Sequence, residues 1–92
     1  MKTYLITYDL IRPESSPDYT RLFNYIKSHI SWAKPMASTW IIKTDMEAVD
    51  IVNQIRTVTD SNDKILVIEV TSDWASFNNP NDVVEWMREW IK

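Results

Sequence analysis

Asp9 is the first residue whose type and place suggest chemistry. It closes an apolar run, Lys2 to Leu10, just before a polar loop. If Tyr8 faces a helix layer, alternation turns Asp9 to the other side of a sheet. One carboxylate cannot hold Mg²⁺ unaided, because hard cations take several oxygen ligands. A two-fold dimer would supply a second Asp9. The alternative is that Asp9 closes the following loop as an Asx turn. His29 is the single histidine. General-base work often falls to histidine, but no serine or cysteine stands in a nucleophile frame with it. Its place near a helix C-terminus is explained by a cation close to the last carbonyls. Asp45, Glu47 and Asp50 crowd the start of a helix, where the dipole welcomes acids. Thr59, Asp60, Ser61, Asn62 and Asp63 resemble a calcium loop only in composition, since the glycine and the bidentate glutamate are missing. Arg12, Lys34 and Lys43 could converge at one end of a sheet and hold a phosphate. The alternative for them is an ordinary solvated surface.

Composition narrows the chemistry. None of the 92 residues is glycine or cysteine. The Walker loop, the dinucleotide fingerprint and the nucleophile elbow need glycine where backbone nears a phosphate or turns with positive φ. Nucleotide binding through those motifs is therefore excluded, as are disulfides and thiolate metal sites. The net charge of −3 argues against tight nonspecific nucleic-acid binding, which wants a basic balance. Apolar residues at 45% exclude wholesale disorder. No run is long enough to span a membrane, and Asp9 interrupts the N-terminal run too early for a signal peptide, so a cytoplasmic place is expected. Five tryptophans can serve a thin core or anchor an interface.

The elements that must position these groups follow from periodicity. Tyr4, Ile6, Tyr8 and Leu10 alternate with Leu5, Thr7 and Asp9, which reads as a strand. Ser16-Pro17 starts a helix whose stripe is Tyr19, Leu22, Phe23, Ile26 and Ile30, ending near His29. A short strand is expected near Trp32, a bend or bulge at Lys34-Pro35, and a longer strand from Ala37 to Lys43. Thr44 to Glu47 fits a capping box. It opens a helix with Ala48, Ile51, Val52, Ile55 and Val58 on one side. Lys64 to Thr71 reads as a strand, and its nearly continuous apolar run suggests a central one. Asn79 is expected to cap a last helix with Pro80 at its first position. Val83, Val84, Met87 and Ile91 form its stripe, with Trp86 and Trp90 beside it. The order is that of an α+β, ferredoxin-like βαββαβ sandwich with an added C-terminal helix. Residues 1–92 form a single domain, with 1–71 as core and 72–92 as a C-terminal extension.

Three stretches carry a family resemblance. They are the strand LITYDL ending in Tyr8-Asp9, the triplet Ser38-Thr39-Trp40, and the strand KILVIEV after an Asn-Asp turn. Over roughly residues 3 to 71 the chain resembles the CRISPR-associated Cas-two family and its SinR-like and VapD-like relatives. The tail, TSDWASF with the tryptophan-bearing helix, looks closest to the SinR-like group. The resemblance implies a ferredoxin-like homodimer. It also implies Asp9 as a candidate Mg²⁺ ligand for phosphodiester hydrolysis of RNA or DNA, with Tyr8, Arg12 and Ser38 as supporting residues. Mg²⁺ there would activate water and neutralise the phosphate. The alternative is a noncatalytic dimeric adaptor that binds another protein through Trp86 and Trp90.

Overall fold

The computed structural model describes residues 1–92. Strand β1 (Lys2–Asp9) is followed by a 3-10 turn, Pro17–Tyr19, that runs into helix α1 (Thr20–Lys27). Then come β2 (Ser31–Met36), β3 (Thr39–Thr44), helix α2 (Ala48–Ile55), β4 (Lys64–Glu69) and helix α3 (Asn81–Trp90). The sheet order is β2-β3-β1-β4, and each neighbouring pair is antiparallel. This is the expected α+β architecture, consistent with a ferredoxin-like sheet.

The alternation read in β1 decides which way each side chain goes. Tyr4, Ile6 and Tyr8 are buried with Trp40 and Ile42 of β3 against Leu22 and Ile26 of α1 and Ile51 and Ile55 of α2. Both crossover helices therefore lie on one face, because each has one apolar stripe and needs the same sheet to cover it. On the opposite face Ile41 is buried under Val83, Met87 and Ile91 of the α3 segment. Three bonds hold that segment down. Trp86 Nε1 donates to Ser31 Oγ at 2.7 Å, Lys43 Nζ to the Trp90 carbonyl at 2.8 Å, and Trp74 Nε1 to the Ile91 carbonyl at 3.3 Å. The lysine meets a carbonyl left free at the helix end, where a cation is favoured. No helix is long and apolar enough to cross a membrane.

Several local expectations are corrected. β4 is an edge strand, not a central one. Its run is apolar because Ile65 and Val67 pack on the helix side, while Leu66 and Ile68 stay exposed on the other. The strand ends at Glu69, short of Thr71. The break between β2 and β3 falls at Ala37-Ser38. The bulge expected at Lys34-Pro35 is present: the register shifts between Ala33 and Met36 with Pro35 still inside β2, where an edge strand tolerates the missing donor. The capping box does not form. The Glu47 carboxylate is held by Lys2 Nζ at 2.7 Å, and Thr44 Oγ1 accepts from the Met46 N–H instead. α1 stops at Lys27, α2 stops at Ile55 before Val58, and Pro80 rather than Asn79 occupies the cap of α3.

Candidate functional site

Asp9 ends β1 opposite Lys64 and is exposed. It lines a shallow depression of about 250 Å³ with Thr7, Tyr8, Lys64, Ile65 and Leu66. Its carboxylate makes no hydrogen bond or ion pair within the chain. The Asx-turn alternative therefore fails, because a different carboxylate closes the loop. Asp63 Oδ1 accepts from the Ile11 N–H at 2.8 Å and from the Tyr19 hydroxyl at 3.0 Å, and Asp63 Oδ2 accepts from the Asp60 N–H at 2.8 Å. Asp60 in turn accepts from the Asn62 N–H and from Arg12 Nη2 at 3.1 Å. The Asn62 N–H and the Arg12 guanidinium together hold the Asp60 carboxyl below its usual range. The 59–63 turn is thus an internally satisfied clasp for the β1 loop. In the sequence Asp63 stands out only as part of the calcium-like 59–63 composition; its loop-closing role is not legible there, although Asp60-x-Asn62 is an Asx signal.

The other residues that the resemblance tied to Asp9 go elsewhere. Tyr8 points to the helix side. Its hydroxyl accepts from Trp40 Nε1 at 2.9 Å and donates to Glu14 Oε1 at 2.6 Å. Burial first, and the Glu14 bond second, push the phenol far above its usual range, so it stays protonated at neutral pH. Lys34 Nζ donates to the same Glu14 oxygen at 2.8 Å and stands 5.1 Å from the Trp40 ring centre. Burial pushes the Glu14 carboxyl up, but Lys34 and Tyr8 outweigh it and the net shift is downward. Glu14 is therefore the hub of a polar chain that the sequence did not reveal. Ser38 acts through its backbone: its carbonyl accepts from the Tyr8 N–H at 3.2 Å and from Thr7 Oγ1 at 3.1 Å.

Arg12, Lys34 and Lys43 do not converge. Arg12 bonds Asp60 and lies 3.4 Å from Asp18, and Lys34 bonds Glu14. Lys43 sits beside Thr3 at the opposite end of β1 from Asp9. No phosphate cradle forms from these three. No three His, Asp or Glu side chains gather in one place to hold a metal ion. His29 is not a helix-end cation. Its Nδ1 lies 3.1 Å from Thr44 Oγ1, its Nε2 is buried without a partner, and burial lowers its pKa. Trp86 and Trp90 lie with ring centres 6.2 Å apart, half-buried along α3. No family model, curated protein or solved structure matches the chain.

Proposed function

We propose that this chain works as a homodimeric binding module, of the adaptor kind that its resemblance to Cas-two and SinR-like proteins suggests. One observation carries this reading. α3 covers Ile41, but the β1–β4 half of the same face keeps Leu66 and Ile68 about half exposed. Both are already half covered, so completing their burial stabilises by about 1 kcal/mol each, and a second copy offers the same patch in return. The half-exposed indoles of Trp86 and Trp90 would then be free to meet a different protein. Light scattering at micromolar concentration tests the dimer. A mass near twice 10.9 kDa supports it, and a mass of 10.9 kDa removes it.

A second reading, Mg²⁺-dependent phosphodiester hydrolysis on RNA or DNA, is favoured by Asp9 alone. Its carboxylate has no structural task, and an exposed acid that does nothing for the fold is a candidate for chemistry. The remaining ligands would be water, the phosphate itself or the Asp9 of a second copy. The test is cleavage of RNA and DNA with Mg²⁺ and with chelator, for wild type and Asp9→Ala. Cleavage that survives Asp9→Ala would exclude this residue.

A further inference from the structure

The two edges of the sheet are built differently. β2 carries Pro35 and an irregular register, and α3 packs beside it. These are the usual devices that keep an edge from pairing with another chain. β4 has none of them. It is a regular strand of six residues, KILVIE, without proline or bulge, and it carries Leu66 at 52% and Ile68 at 50% exposure. Its ends bear Lys64 and Glu69, which have no ion-pair partner in the chain.

We infer that a second copy of this chain pairs along β4 in antiparallel fashion, so that one sheet runs through both copies. The inference rests on the dimer reading above and adds its contact and register. The Val70 N–H donates to the Thr3 carbonyl, towards β1. Alternation then turns the backbone groups of Ile65, Val67 and Glu69 outward, free to bond a new strand. Lys64, Leu66 and Ile68 lie opposite Asp9, Thr7 and Leu5, on the face away from α1 and α2. Ile65, Val67 and Glu69 share the helix face.

A two-fold axis normal to the sheet keeps both helix layers on one side, so only residues of the same face can oppose each other. An axis at Leu66 would set Asp63 against the partner's Glu69, like charge on like. An axis at Ile68 would carry Lys64 past Glu69 to the partner's Ser72. An axis at Val67 avoids both. It sets Leu66 against the partner's Ile68, and Ile68 against the partner's Leu66. Val67 then meets its own copy in a hydrogen-bonded pair, and no like charges oppose each other. Each exposed apolar side chain thereby gains one apolar cross-strand neighbour. The two Asp9 carboxylates sit one strand further in, roughly 25 Å apart by strand rise and spacing, too far to share one ion.

The chain has no cysteine, which makes the register directly readable. Leu66→Cys and Ile68→Cys are made as separate variants at exposed positions, with circular dichroism to check the fold. Leu66 and the partner's Ile68 form a non-hydrogen-bonded pair, about 4.5 Å between Cα atoms, within disulfide reach. Leu66 and the partner's Leu66 are offset along the strands by two residues, roughly 8 Å apart and out of reach. Mixing the two variants under mild oxidation is expected to give a covalent dimer, while neither variant crosslinks alone. Ile68→Lys is expected to shift the native mass from the dimer to 10.9 kDa. A wild-type dimer whose mixed variants fail to crosslink overturns the inference and leaves the dimer reading standing. Crosslinking of Leu66→Cys alone overturns the register. A wild-type monomer overturns both the inference and the dimer.

Discussion

Replacing Tyr8 by Phe removes one oxygen and almost no volume, so its effect isolates a hydrogen bond. Trp40 and Tyr8 are 2% and 7% exposed, and the indole N–H has the Tyr8 hydroxyl as its partner. The substitution leaves that donor buried and unmet, which costs about 1–3 kcal/mol. Glu14 loses one donor but keeps Lys34, so its charge stays compensated. For a domain of this size about 1 kcal/mol moves Tm by roughly 4–8 °C, so a fall on the order of 10 °C is expected. Urea unfolding followed by tryptophan fluorescence is the assay, with the slope m unchanged and the midpoint lowered. A variant within about 0.5 kcal/mol of wild type would refute the reasoning, because the indole must then find another acceptor. An activity lost with stability intact would instead put the phenol in the chemistry.

The remaining expectations follow from neighbouring groups. Asp63→Ala removes the acceptor of the Ile11 and Asp60 N–H groups and the Tyr19 hydroxyl, so a loss of about 2–4 kcal/mol is expected in the same unfolding assay. Asp9→Ala should change stability by less than about 0.5 kcal/mol, since the side chain is exposed and unbonded; a larger loss would show a structural role. His29 is lowered by burial, so the unfolded chain takes up its proton at higher pH than the folded one. Stability from this group is present above the unfolded value of about 6.5 and is lost as pH falls towards the lower folded value. Unfolding midpoints compared at about pH 7.5 and about pH 5.5 should drop at the acid side, with a smaller drop in His29→Phe; equal drops would rule His29 out as the cause.

Periodicity made the core legible. The alternation of Tyr4, Ile6 and Tyr8, and the stripes through Leu22, Ile26, Ile51 and Ile55, name the residues that meet in the main cluster. The rank of β4 in the sheet was not legible, because an apolar run records only that side chains can be buried. Which strands flank it depends on the crossovers, and those put β1 rather than β4 in the middle. The bulge at Lys34-Pro35 was legible because proline is a strong local signal, whereas the turn at Ala37-Ser38 was not, because those residues carry almost none. At the site, sequence placed Asp9 at the end of its strand. It could not tell that Asp63, distant along the chain, performs the loop-closing task that Asp9 leaves undone. Tyr8 was tied to Asp9 through the resemblance, yet the alternation of the strand sends the two to opposite faces, and the phenol serves Trp40 and Glu14 instead.

The α3 segment rests on its own small cluster of Ile41, Val83, Met87 and Ile91, separate from the ten-residue core beneath the crossover helices. Two cores of unequal size predict two cooperative units, which amide exchange would resolve. The segment can lift as a block at a free energy below that of global unfolding, while β1, β3 and both crossover helices stay closed. Amide exchange would then fall into two tiers, with α3 in the faster one. Each such opening bares Ile41 and the full width of the sheet for as long as it lasts. The chain's solubility is therefore governed by the lifetime of that partly opened state as well as by its native surface.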